Sequence, residues 1–352
     1  MNTNPIVAIT MGDPAGNGPE ITVKSLAKAE LYARCRPIVI GDAKVFEEAK
    51  RIAGFPEIVI HPVKDVQDAL FTHGTIDVFD MELIDMQKLE YGRVSAMCGN
   101  AAYRCVKKAI DLAMAGEVDA TCTNALNKEA MNLALKGEGL HFDGHTEIYA
   151  TCTNTRNYTM LLVHHDLRVV HVSTHCSLQQ ACERVKRQRV LDVIKIAYKA
   201  CRDFGIECPK IAVAGLNPHS GENGLFGTEE IEEIIPAIEQ AKAENIQAEG
   251  PIPPDSLFPK ALGGWYDIVV AMYHDQGHIP LKTVGFQYDR QAGAWKAVEG
   301  VNISLGMPII RTSVDHGTGF DQAGKGVSSE LSLDNAIDYA VKMAKKKLSS
   351  NT

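Results

Sequence analysis

"RPIVIGDAKVFEEAKRIAG" (36–54) changes period halfway along. Ile38, Val39 and Ile40 form a continuous β-branched run, the pattern of a strand covered on both faces. From Ala43 the apolar residues Val45, Phe46, Ala49 and Ile52 recur at helical spacing. The same pairing occurs upstream, where "IVAIT" (6–10) precedes "PEITVKSLAKAEL" (19–31), and downstream, where "VDATCTN" (118–124) precedes "NKEAMNLAL" (127–135). Strands alternating with helices in this way specify an α/β fold with a mainly parallel sheet. "YTMLLVHH" (158–165) and "LRVVHVSTH" (167–175) nearly touch in sequence, so an antiparallel hairpin is expected to join it. Helices are expected over 93–116 and 177–205, the second breaking near Arg184 to Arg187. In "SLDNAIDYAVKMAKKKL" (332–348), Ser332 stands where an N-cap belongs, and a lysine run fills the last turns. "VGFQYDRQAGAWKAVEG" (284–300) reads as a surface excursion between elements.

With 352 residues and 45% hydrophobic content, the chain can build one large α/β unit or two domains. Its net charge of −8 argues against nucleic-acid binding, which normally requires a basic stripe. "MNTNPIVAIT" has no Lys or Arg ahead of its short apolar stretch, and no apolar run approaches the ~20 residues of a membrane helix. Neither export nor membrane insertion is expected. The nine cysteines never form a C-x-x-C pair and are read as reduced thiols of a cytoplasmic protein.

Three segments share one arrangement. "LRVVHVSTH" ends at His175, "KIAVAGLNPH" at His219 and "YDIVVAMYH" at His274, each placing an imidazole just past an apolar strand. The carboxyl ends of parallel strands open onto the ligand crevice of such a sheet, and three neutral imidazoles suit a Lewis-acid metal. A lone strand-end histidine is more often a packing residue, and it is the threefold repetition that favours ligands. His164, His165 and His171 are read as structural or surface residues. The glycines of "TMGDPAGNGPEI" (10–21) have the wrong spacing for G-x-G-x-x-G, and no G-K-[ST] follows. "NPHSGENGLFGTEE" (217–230) is a second glycine-rich loop, consistent with backbone held close to a ligand. Lys282, and Arg311 inside the apolar run "MPIIRTSV", are candidate anion-binding cations, since a buried guanidinium needs a salt-bridge partner or a bound anion.

"MGDPAGNGPEI", "FDGHTE", "VSTH", "NPHSGENGLFG", "PPDSLF", "YHDQGHIPLK" and "GVNISLGMPIIRTSVDHGT" resemble, in order and across nearly the whole chain, the signature blocks of the 4-hydroxythreonine-4-phosphate dehydrogenase family. The resemblance implies an α/β/α fold of the isocitrate/isopropylmalate dehydrogenase type with two interleaved subdomains. A cofactor-side subdomain would span roughly 1–130 plus 300–352, and a metal and dimer side roughly 131–299. It also implies a homodimer with shared active sites. His175, His219 and His274 match the metal ligands (zinc, magnesium or cobalt). His145, Thr146, Lys282, Asn302 and Arg311 match substrate contacts, and Asp255 and Asp275 match carboxylates near the reacting centre. "HGTGFDQAGKG" (316–326) resembles the adenosine-holding segment of isopropylmalate dehydrogenases, with Gly319-Phe320 replacing Ala-Pro. By position, His316, Gly317 and Thr318 would border adenine, and Asp321 would accept the ribose hydroxyls, favouring NAD over NADP.

The implied reaction is NAD-dependent oxidation, with decarboxylation, of 4-phosphohydroxy-L-threonine to 3-amino-2-oxopropyl phosphate in pyridoxal phosphate biosynthesis. D-threonate or D-erythronate 4-phosphate are the alternative four-carbon substrates, and one branch of the family oxidises an aromatic dihydrodiol. A metal-dependent hydrolase or class II aldolase would suit the histidines equally but would not need the adenosine-like segment.

Overall fold

The computed structural model describes residues 4–286, 288–290, 294–295 and 299–350. In chain order the strands are β1 (Ile6–Thr10), β2 (Arg36–Gly41), β3 (Val59–Val63), β4 (Thr75–Asp80), β5 (Ala120–Thr123), β6 (Thr159–His164), β7 (Leu167–His171), β8 (Ile211–Ala214), β9 (Ala248–Ile252), β10 (Ile268–Ala271), β11 (Tyr288–Asp289), β12 (Ala294–Trp295), β13 (Val301–Leu305) and β14 (Arg311–Val314). The helices are α1 (Gly18–Leu26), α2 (Ala29–Tyr32), α3 (Ala43–Ile52), α4 (Ala96–Ala115), α5 (Lys128–Leu135), α6 (His145–Cys152), α7 (Leu178–Arg184), α8 (Arg187–Asp203), α9 (Ile235–Ala243), α10 (Pro254–Leu262), α11 (His274–Gly285) and α12 (Leu331–Ser350).

The chain forms two compact units. One holds the chain up to Thr155, the residues leading to Val301, and the chain from Met307 on; the other holds the chain from Arg156 to Lys296 together with Asn302–Gly306. In the first unit the strands run β3-β4-β2-β1-β5-β14, and each is parallel to its neighbours. The apolar runs at Val7–Ile9 and Ile38–Ile40 are fully buried, as expected of strands covered on both faces. Helix α4 packs against α5 so closely that a methyl group on Gly99 would lie 2.1 Å from the Ala130 carbonyl.

In the second unit the order is β13-β6-β7-β10-β8-β9. The hairpin expected between 158 and 175 is present as the antiparallel pair β6–β7. Strand β10 is parallel to β7 on one side and to β8 on the other. The cluster around Leu162, Val169, Leu257, Val269 and Leu281 forms a core of this unit.

Two expectations need correction. The helix-like stretch 19–31 is two helices, because the chain turns at Ala27-Lys28 and Lys28 adopts extended backbone. Ser332 is not an N-cap. It is the second residue of α12, buried, donating to the Gly300 carbonyl and accepting from the Asp315 N–H. The break expected near Arg184 to Arg187 falls between α7 and α8. Within the 284–300 excursion, β11 and β12 pair antiparallel, while 287, 291–293 and 296–298 lie outside the described residues. Among the described residues no helix is long and apolar enough to cross a membrane. All nine cysteines are free thiols.

Candidate functional site

His175, His219 and His274 follow β7, β8 and β10, three adjacent parallel strands. His274 is the first residue of α11, and its ring centroid lies 5.7 Å from that of His175. His278, one turn on, stacks on His274 at 3.6 Å with an interplanar angle of 11°, and its Nδ1 lies 2.9 Å from the His274 carbonyl oxygen. His171, at the end of β7, is 4.8 Å from His278. The four rings thus form a row. Burial, with the neighbouring imidazole His274 next, pulls His278 down to about 4. Burial, then His278, pulls His171 down to about 3, so both are neutral near pH 7. His171 is a packing residue: a methyl group on Gly277 would meet its Nε2 at 2.4 Å. Asp275 hydrogen-bonds the Nδ1 of His274 at 2.7 Å, so that Nε2 is the ring nitrogen this contact leaves for other chemistry.

His219 stands beyond the end of β8. It opens a run of left-handed backbone, His219 to Asn223, with its ring 6.3 Å from that of Phe226. Such backbone is costly for non-glycine residues and persists where surroundings impose it. Buried Glu230 is the restraint: its Oε1 accepts the N–H groups of Leu216 and Asn217, and its Oε2 accepts the Asn217 amide. It begins a single π-helical turn, Glu230–Ile234. Among the described residues no three His, Cys, Asp or Glu side chains stand close enough together to hold a metal ion. The donor chemistry of the three histidines fits a borderline divalent cation, and the rings of His175 and His274 stand 5.7 Å apart.

Sequence reasoning assigned no role to Gln276 or Glu230. Gln276 accepts the Met272 N–H and donates to the Gly215 carbonyl, tying the His274 turn to the end of β8. The signal was present in "YHDQGH", where a glutamine stands amid metal-ligand chemistry. Of the remaining second-unit candidates, Asp255 is exposed in the first turn of α10, with Oδ1 on the Ser256 N–H. Lys282 lies over the Phe286 ring at 4.8 Å. Asn302, on β13, donates to the Met160 sulfur at 2.9 Å, and its Oδ1 is buried without a hydrogen-bond partner among the described residues.

In the first unit, His145 and Thr146 open α6, whose N-cap is Gly144 and carries no side-chain cap. Burial, then Arg311, then Lys128, hold His145 well below the usual imidazole range, so it is neutral. Arg311, on β14, is only 2% exposed. Its guanidinium donates to the Thr123 hydroxyl on β5 and lies 5.8 Å from the Tyr149 ring centroid. Burial lowers it to about 10, with Tyr149 and Cys122 opposing, so it stays charged at neutral pH. The N-terminus of a helix, a neutral histidine and a buried guanidinium form a set suited to an oxyanion.

The 316–326 segment packs against the loop after β1. Asn17 N–H donates to the Thr318 carbonyl at 2.9 Å, and His316 Nδ1 lies 2.8 Å from the Gly317 carbonyl oxygen. Asp321 is exposed. Gly319 has φ +57, a backbone conformation that strains any residue with a side chain, and a methyl group there would lie 2.5 Å from the Asn17 side-chain amide nitrogen.

The family model described as pyridoxal phosphate biosynthetic protein PdxA matches residues 33–340. A protein of Oceanobacillus iheyensis, provisionally named D-threonate 4-phosphate dehydrogenase, is 48% identical over 99% of this chain and 100% of its own length. The crystal structure of a 4-hydroxythreonine-4-phosphate dehydrogenase from Burkholderia phymatum is 45% identical, covers 97% of this chain and 99% of its own, and superposes with a TM-score of 0.80. A terephthalate 1,2-cis-dihydrodiol dehydrogenase from Burkholderia xenovorans is more distant, at 29% identity and TM-score 0.66, over 96% of this chain and 98% of its own. Matched through most of its length by the family model and aligned end to end with a close relative, the chain belongs to the PdxA family of dehydrogenases.

Proposed function

We propose that this chain oxidises the secondary alcohol of 4-phosphohydroxy-L-threonine, with NAD as hydride acceptor. The β-keto acid then loses carbon dioxide to give 3-amino-2-oxopropyl phosphate, a precursor in pyridoxal phosphate biosynthesis. The observation that carries this reading is the pairing of buried Arg311 with neutral His145 at the N-terminal end of α6, in a chain 45% identical to a solved relative named for a phosphorylated substrate.

A divalent cation (zinc, magnesium or cobalt) would supply Lewis acidity toward the alcohol oxygen, with His175, His274 and His219 to hold it. Asp275 orients His274 through Nδ1, and Asp255 with Asp275 are the carboxylates assigned to take the alcohol proton. Arg311, His145, Thr146, Lys282 and Asn302 bind the substrate's phosphate and carboxylate. His316, Gly317 and Thr318 border the adenine, and Asp321 accepts the ribose hydroxyls. The working form is a cytoplasmic homodimer with shared active sites.

The 48% identity to the Oceanobacillus protein favours a second reading, in which D-threonate 4-phosphate is the substrate and a hydroxyl replaces the amino group beside the carboxylate. D-Erythronate 4-phosphate is its epimeric alternative. The test is formation of reduced nicotinamide, followed by its near-UV absorbance, with each of the three compounds, NAD and metal. A kcat/KM at least about tenfold higher for 4-phosphohydroxy-L-threonine is expected, equivalent to ~1.4 kcal/mol of discrimination. A preference for D-threonate 4-phosphate would establish the second reading. No reduction with any of them would overturn both and return the hydrolase or aldolase alternatives.

A further inference from the structure

We propose that Glu20 and Lys24 of α1 are positioning residues for the nicotinamide cofactor, acting through the 316–326 segment and not by touching the cofactor. The inference rests on the reading of that segment as the adenosine site.

Glu20 is 1% exposed, a level at which a carboxylate is rarely tolerated without full hydrogen bonding. Its Oε1 accepts the Gly324 N–H at 2.5 Å and its Oε2 accepts the Gly326 N–H at 2.8 Å. Lys24, one turn along the same face, donates from Nζ to the carbonyls of Gly326 at 2.8 Å and Ser328 at 2.7 Å. Gly326 is therefore gripped at both its N–H and its C=O by two side chains of one helix. Upstream, the Asn17 N–H holds the Thr318 carbonyl at 2.9 Å.

These bonds bracket the stretch that contains Asp321. The bracketed backbone carries a turn of its own, with the Gln322 and Ala323 N–H groups on the Gly319 carbonyl, but its conformation is one that few residues adopt: Gly319, Gly324 and Gly326 all have positive φ, and each meets a neighbour at close range. A glycine-rich loop loses much conformational entropy when ordered. The charge-assisted bonds from Glu20 and Lys24 offset that loss before a ligand arrives, which is preorganisation for binding. A glutamine at position 20 has one acceptor oxygen, and its NH2 would confront the second glycine N–H.

The test measures NAD binding by calorimetry on full-length protein without substrate, beside steady-state kinetics, for Glu20→Gln, Lys24→Met and the control Asp321→Ser. Glu20→Gln should weaken NAD about tenfold and raise its KM in parallel, while KM for the phosphorylated substrate stays within about twofold. Lys24→Met, which leaves the carboxylate in place, should show the same selectivity at smaller size, and so decides the matter if Glu20→Gln does not fold. Parental NAD affinity in Glu20→Gln and Lys24→Met, with a loss in Asp321→Ser, would overturn the clamp and leave the adenosine site standing. No change in any of the three would remove the adenosine assignment and the clamp with it. Equal loss for NAD and substrate would reduce Glu20 and Lys24 to general stabilisers and overturn the proposal.

Discussion

Arg311 meets Thr123 through two nitrogens: Nε at 3.2 Å and Nη2 at 2.8 Å both donate to one hydroxyl on the adjacent parallel strand. The guanidinium plane is thereby set by a strand-borne oxygen and not by a mobile side chain. A lysine at 311 would keep the charge and lose the fork. Arg311→Lys is expected to raise KM for phosphorylated substrate on the order of tenfold or more, and Thr123→Val to raise it by less. Steady-state kinetics on correctly folded protein check this. An unchanged KM in Arg311→Lys would take Arg311 out of substrate binding.

The row of imidazoles leads to a prediction about metal content. His175→Ala and His274→Ala should each lose bound divalent cation, measured by elemental analysis and by titration with cobalt. Asp275→Asn, which weakens the hold on His274 Nδ1, should cost about 10–100-fold in affinity. His219→Ala should match the other two histidine variants. Full metal retention in His219→Ala would mean that its left-handed loop presents some other function.

The alternation of strands and helices could be read from residue 6 onward because parallel strands buried on both faces leave continuous apolar runs, and these do not depend on distant neighbours. Histidines past β7, β8 and β10 were legible for the same reason. That His175 and His274 come together was not, since it depends on β7 and β10 being neighbours, which the sequence does not display. Ser332 misled because its hydroxyl is drawn to Gly300 and Asp315, partners over 15 residues away that outcompete the local cap. Glu230 and Glu20 were invisible as restraints because an acidic residue in a first helical turn ordinarily serves the helix dipole. Here each carboxylate serves the backbone of another loop instead.

Gly99 provides a test of the packing in the first unit. With the Ala130 carbonyl 2.1 Å from where its Cβ would stand, Gly99→Ala cannot be absorbed by rotating a side chain. Helix α5 would have to move, at a cost of about 3 kcal/mol. Calorimetry should show Tm several degrees lower. An unchanged Tm would contradict the close approach of α4 and α5.

Asp13 makes stability depend on pH in a direction opposite to that of most carboxylates. It is fully buried in the loop after β1, where Oδ1 accepts the Ala15 N–H at 2.9 Å. Burial raises its pKa from 3.8 to about 6, with the N–H groups of Ala15 and Asn127 opposing. The folded protein therefore holds the proton more tightly than the unfolded chain. As pH rises from about 4 to about 6 the unfolded chain releases the proton first, and stability falls by roughly 3 kcal/mol at most. Above about 6 the whole cost is present, and below about 4 it vanishes. Asp13→Asn keeps an acceptor for Ala15 and cannot ionise, so it should be more stable than the parent at pH 7.5, with the difference shrinking steadily toward pH 4. Urea unfolding of both proteins across that range measures the difference directly. A gap that stays constant with pH would show that Asp13 titrates alike in the folded and unfolded chain, and that its burial carries no charge penalty.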